Sequence, residues 1–277
     1  MMFNTVLGIE IALDPNIVKI GDVLITWHGL FTAMGIFVGL NVILRLARLR
    51  SLDEDNIYTL ALVAIPSGIV GARGLFVIEH WSYFSGSPLD IIRVNEGGIS
   101  VWGALLTGVI VTVCFAKWRN YPLRVLLDIC GLGMILGLAI GRVGDLINGE
   151  HLAKATDLPW GVVYTDPDSP AFAHSLAFGS HHPATTYEML SLLSMFFVLL
   201  PLFLRFLNRW PGVTFSFVAI GYAVTRFFLT EIRLDSPEVF NGFVAPQIIS
   251  GVIIIIVVPL MLLWVKDTDS SRGITQS

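Results

Sequence analysis

A chain of 277 residues that is 55% apolar and only 14% charged, with a mean hydropathy of +0.76, has the balance of a membrane protein. Its net charge of −4 offers no basic face for nucleic acid. The two cysteines, Cys114 and Cys130, sit in apolar runs without C-x-x-C spacing, which excludes a disulfide framework and a thiol metal site.

The chain begins with Glu10, Asp14 and Asp22 ahead of its first apolar run and has no basic leader, so no cleaved signal peptide is expected. Apolar runs of spanning length follow near 23–44, 57–79, 99–116, 125–144, 186–204, 213–230 and 246–265. The third needs Gly97 and Gly98 as its entrance. Unpaired backbone is not tolerated in lipid, so each run is read as a helix. The expected fold is an all-α polytopic membrane protein of about seven transmembrane helices, forming one integral-membrane domain over 1–277. The segment 145–185, rich in Pro, Asp, Ser and His, reads as a folded cap or a long loop, and 267–277 reads as a disordered tail.

Lysines and arginines between the spans set the expected orientation. Arg45, Arg48, Arg50, Lys117, Arg119, Arg124, Arg205, Arg209, Lys266 and Arg272 fall on one side; Lys19, Arg93, Lys154 and Arg233 fall on the other. Ten against four puts the C-terminus in the cytoplasm and the N-terminus outside. His80, His151, His174, His181 and His182 then lie in outer segments, with His28 near the outer end of the first span, so the chemistry is expected to open outward.

Arg73, Arg142 and Arg226 belong to neither set, because they sit inside or at the end of apolar spans. A charge there costs at least ~2.5–3.5 kcal/mol on insertion scales, so such a residue faces a cavity and a partner or snorkels to the interface. Both readings stay open for Arg73. For Arg142 and Arg226 the neighbours favour a cavity. Gly133, Gly137 and Gly141 give one smooth helix face, and the run Arg142-Val143-Gly144-Asp145-Leu146-Ile147-Asn148-Gly149-Glu150 then gathers polar groups where the helix loosens. Arg226 follows Tyr222 by one helical turn, with Glu231 and Arg233 beyond it. Two arginines from different helices in one outward cavity make a phosphate clamp, and the abundant phosphate in a membrane is a phospholipid head group.

The run Gly141 to Glu150 resembles the signature of bacterial prolipoprotein diacylglyceryl transferases. The likeness extends to Ile25-Thr26-Trp27-His28-Gly29-Leu30, Gly71-Ala72-Arg73, Glu96-Gly97-Gly98-Ile99-Ser100, His182-Pro183 with Tyr187-Glu188, and Tyr222 with Arg226-Phe227-Phe228. It implies an inner-membrane enzyme that moves the diacylglyceryl group of phosphatidylglycerol to the lipobox cysteine thiol of a prolipoprotein, releasing glycerol 1-phosphate. Its partners would be phosphatidylglycerol, prolipoprotein signal peptides and membrane lipid. By this resemblance Arg142 and Arg226 hold the lipid phosphate, Asn148 and Glu150 shape the site, and Tyr222 orients Arg226. Asp145 stands where the signature has Asn, His28 where many members have Tyr, Trp102 where a His is often found, Ala153 where a Gly is expected, and Thr230 where a Glu is expected.

His28 is the candidate general base, with an interfacial histidine as the other reading. Trp102 and Tyr187 read as interfacial aromatics. His181-His182 lack a third ligand at helical spacing, so neither a metal nor a cofactor is expected. A non-catalytic lipid-binding paralogue and a small-solute transporter are the competing function classes. The transporter would want paired broken helices, and only one Gly-rich break is visible.

Overall fold

The computed structural model describes residues 8–21, 23–92, 98–236, 238–240 and 242–275; Asp22, Arg93, Glu96 and Gly97 of the sequence argument lie outside them. Seven helices are long and apolar enough to cross a membrane: α1 (Trp27–Leu49), α2 (Glu54–Glu79), α4 (Val101–Trp118), α5 (Leu123–Asn148), α7 (Ala184–Arg205), α8 (Val213–Thr230) and α9 (Ala245–Thr275). The short helices α3 (Trp81–Phe84) and α6 (Phe172–Phe178) lie between them. Every predicted span has its helix, and the protein is an all-α polytopic membrane protein with only small strand pairs added.

Two ends differ from the sequence reading. The first run was placed from 23, but Val23–Thr26 is a strand, β3, antiparallel to β2 (Asn16–Ile20), and α1 starts at Trp27. Its backbone groups pair across a hairpin, an alternative that hydropathy cannot distinguish from a helical turn. At the other end, where a disordered tail was expected, α9 runs on to Thr275. No proline or glycine stands between Pro259 and Arg272 to stop it.

The chain forms two compact units, with boundaries inside α1 and α5. The unit Ile43–Cys130 is built on α2 against α4, where Gly71 and Gly103 let the backbones touch. The Asp53 side chain caps α2 by accepting from the Asp55 N–H. Here Arg73 is resolved: it is buried, and its guanidinium donates to the carbonyls of Ile91 at 2.9 Å and Gly98 at 2.8 Å, and to that of Asp90. Phe76 and Phe84 flank it at 5.9 and 5.0 Å. It staples the connection between α3 and α4 instead of snorkelling.

The other unit, the chain up to Val42 together with Gly131 onward, holds α5, α7, α8 and α9 around a core that includes Leu132, Ile135, Leu192 and Val218. The glycine face predicted on α5 meets α1. A Cβ built on Gly137 would stand 2.7 Å from the Gly35 carbonyl oxygen, and one on Gly144 would stand 2.7 Å from Cα of His28. Only hydrogen fits there, so the start of α1 is pressed onto the end of α5. The segment after α5 is folded: β4 (Val162–Tyr164) pairs parallel with β1 (Ile9–Ile11), Tyr164 donates to the Leu146 carbonyl at 2.6 Å, and Ser169 donates to that of Asn148 at 2.9 Å. Gly149 at φ +76° turns the chain out of α5. Backbone bonds from Lys154 to Ile232 (2.8 Å) and from Leu234 to Leu152 (2.9 Å) tie the connection after α8 to it, and β5 (Glu238–Phe240) pairs with β6 (Phe243–Val244) before α9.

Candidate active site

Every residue of the site lies in the second of these units. At its centre is Glu188, near the start of α7 and fully buried. One oxygen, Oε1, accepts from Arg142 Nη2 of α5 at 2.9 Å and from the Tyr222 hydroxyl of α8 at 3.1 Å. The other accepts from Arg226 Nη1 of α8 at 3.2 Å and lies 3.8 Å from Arg233 Nη1, just beyond α8. One carboxylate therefore gathers three guanidinium groups and a phenol. A lone buried charge is costly, but paired and hydrogen-bonded it fixes the helices that supply the partners.

A second centre adjoins it through Arg142. Nη1 of Arg142 donates to Asp145 Oδ2, and Asp145 Oδ1 lies 2.6 Å from Nδ1 of His28. The repulsion that a carboxylate beside a phosphate site would bring is answered by this pairing. The Asn148 side chain accepts from the His28 backbone N–H at 3.4 Å and donates to Glu150 at 3.3 Å, and Glu150 Oε2 stands 3.6 Å from His28 Nδ1. Nitrogen and oxygen atoms of His28, Asp145 and Glu150 lie within 4.8 Å of one another, a donor set that could take a cation, although the Arg142 charge beside Asp145 opposes one.

The third centre is His151, held at φ +70°. Its Nδ1 lies 2.9 Å from Asp235 Oδ2, and its Nε2 lies 3.4 Å from Arg142 Nη1. Arg233 Nε donates to Asp235 Oδ1 at 2.9 Å. Burial, reinforced by the charges of Arg233 and Arg142, holds His151 below the ordinary histidine range against the pull of Asp235. Burial pushes the Asp235 carboxyl up, but bonds from His151 and Arg233 outweigh it and hold the group below the usual carboxylate range.

The seven site residues named from sequence are thus brought together, in two linked groups: Arg142, Arg226 and Tyr222 around Glu188, and His28, Asp145, Asn148 and Glu150 around the α1–α5 contact. Tyr222 reaches Arg226 through Glu188, a bridge that i,i+4 spacing did not supply. Trp102, read as interfacial, is buried at the start of α4, while Tyr187 accepts from Trp160 at 2.8 Å. His181 stacks on Tyr164 at 5.6 Å, and His182 lies 3.3 Å from the Tyr187 hydroxyl. Sequence reasoning missed Glu188, Arg233, His151 and Asp235. Glu188 had a signal, being an acid at the head of an apolar span, where an ionisable group is a site candidate by default.

Residues 15–264 match the Prolipoprotein diacylglyceryl transferase family. The chain belongs to that family. Curated relatives named phosphatidylglycerol–prolipoprotein diacylglyceryl transferase agree over most of its length. The protein of Gloeobacter violaceus is 34% identical over 80% of this chain and 82% of its own. That of Bacillus velezensis is 32% identical over 90% and 92%, and that of Synechococcus sp. (strain CC9902) is 30% identical over 86% and 88%. By these names the relatives are transferases. The matched span runs from before His28 to beyond Asp235.

Proposed function

We propose that this protein transfers the diacylglyceryl group of phosphatidylglycerol to the lipobox cysteine thiol of prolipoproteins, in the bacterial inner membrane, with the N-terminus and the site facing outward. The observation that carries the reading is the convergence of Arg142 and Arg226 from two spanning helices on one buried point. Glu188 does not saturate the cluster around it: Nε of Arg142 and Nη1 of Arg233 are buried without a hydrogen-bond acceptor among the described residues. Buried donors left unmatched are costly, and phosphate oxygens would satisfy them.

In the reaction the cysteine thiol gives its proton to His28, and its sulfur attacks C3 of the diacylglyceryl group. The C3–O bond breaks, and its electron pair leaves on glycerol 1-phosphate. Negative charge gathers on the leaving phosphate, so guanidinium groups fixed in advance stabilise the transition state more than the ground state. No enzyme nucleophile is needed. Asn148 and Glu150 bound the site beside the base.

The test is a lipoprotein-modification assay on membranes of a transferase-depleted host supplied with this chain. Mobility-shifted, diacylglyceryl-bearing lipoprotein is expected. Phosphatidylglycerol binding without modification would instead make this chain a non-catalytic lipid-binding paralogue.

A further inference from the structure

We propose that His28 and Asp145 form a proton-accepting dyad, with Asp145 the positioning residue and the incoming substrate thiol the third member. This rests on the transferase reading above and assigns how its base is made. The pair is assembled by the close approach of the start of α1 to the end of α5 at Gly144, and Asn148 holds the His28 backbone N–H at 3.4 Å.

The proton inventory fixes the tautomer. A guanidinium only donates, so Asp145 Oδ2, which receives Arg142, is committed as an acceptor. The remaining oxygen, Oδ1, is a carboxylate acceptor too, and at 2.6 Å its partner, Nδ1 of His28, must carry the hydrogen. The lone pair is therefore on Nε2, which has no hydrogen-bond partner among the described residues, on a side chain that is 31% exposed. An aspartate orienting an imidazole this way is the arrangement of acyl-transfer triads, with the nucleophile here brought by the substrate.

The charged groups facing His28 are Asp145, Glu150 at 3.6 Å, and Arg142 behind Asp145. Nε2 takes the S–H proton as sulfur bonds to C3. The C3–O pair departs on the phosphate, and the imidazolium, facing two carboxylates, later returns its proton to solvent. Asp145 thus joins the base to the arginine that holds the leaving group.

The experiment compares the full-length parent, Asp145→Asn, His28→Gln and the double variant in phosphatidylglycerol vesicles with a lipobox peptide, from about pH 6 to about pH 10. In Asp145→Asn the amide oxygen must stay with Arg142, which turns its NH2 towards Nδ1 and moves the imidazole hydrogen to Nε2. A fall in kcat of ~10²-fold or more is expected near neutral pH, with KM for the lipid unchanged and the double variant no worse than either single one. Each deficit should shrink as pH rises past about 8.5, where the thiol ionises unaided. A pH-independent deficit, a rise in KM alone, or Asp145→Asn turning over like the parent overturns the dyad. So does parent activity lost to a chelator and restored by a divalent cation, since the same atoms would then be ligands. A parent that transfers nothing strikes down the transferase reading itself.

Discussion

Arg142 on α5 donates to Glu188 on α7 at 2.9 Å, deep among apolar helices, and that one bond joins the His28–Asp145 pair to the arginine cluster. Glu188 is the shared counter-charge, so its removal leaves guanidinium groups buried without compensation. Glu188→Ala should cost ~3–5 kcal/mol of stability, as for other broken buried pairs. Glu188→Gln keeps an acceptor for Arg142 and should cost less. Thermal unfolding in detergent of parent and both variants checks the order; equal and small losses would remove Glu188 from the centre of the fold.

The arginines test the phosphate reading. Lysine keeps the charge of Arg142 but loses the planar fork, so Arg142→Lys should remain badly impaired. Arg142→Ala and Arg226→Ala should each lose ~10²–10³ in rate, the usual cost of one preorganised charge-stabilising contact. If both hold one phosphate, the double variant should lose less than the two combined. Transfer assays on variants first shown to be folded decide it. Parent-like turnover by folded Arg142→Ala would make that arginine structural.

The glycine contact makes a prediction at a distance from the chemistry. Gly137→Val places branched carbon against the Gly35 carbonyl. Overpacking of this kind costs ~1–3 kcal/mol and pushes the helices apart. His28 should leave Asp145, so transfer should fall more steeply than thermal stability. A variant with parent activity would show that the α1–α5 contact does not position the base.

Much of this was legible in the sequence because lipid imposes a simple rule. Twenty apolar residues must be a helix, and an arginine among them must have a partner. Arg142 and Arg226 were found that way. What was not legible was the partner. Glu188 lies forty-six residues from Arg142, and no spacing rule joins groups on different helices. Arg233 was counted as a loop charge because it follows the sixth apolar run. It is buried because backbone bonds pull its segment against Leu152–Lys154. Arg73 obeyed the rule with backbone carbonyls, acceptors invisible to any pattern of side chains.

Orientation rests on ten positive residues against four. A reporter fused after Ser277 should be active only in its cytoplasmic form, and one inserted within 160–175 only in its exported form. Reversed activities would turn the site towards the cytoplasm and remove the outward-facing mechanism.

The cluster around His151 predicts an acid response with two separable parts. His151 lies outside the spanning helices, and its folded state resists protonation because it is buried beside Arg233 and Arg142. An unfolded chain takes up that proton near pH 6.5, the ordinary histidine value, so the unfolded state gains as pH falls through this point. The contribution of neutral His151 is complete above pH 6.5 and declines below it. Its slope is at most about 1.4 kcal/mol per pH unit, the limit for one proton. Asp235 acts lower on the scale. Its carboxyl is held below the usual range by His151 and Arg233, so its contribution is complete above the unfolded value of 3.8 and drains away as pH drops further. His151→Gln should therefore flatten the stability profile around pH 6.5 while leaving a loss at stronger acid, and Asp235→Asn should reduce the loss below 3.8. Unfolding measured in detergent from neutral to acid pH separates the two. A His151→Gln profile that follows the parent through the histidine range would mean that His151 takes up its proton alike in the folded and unfolded chain, and that burial beside Arg233 and Arg142 does not hold it neutral.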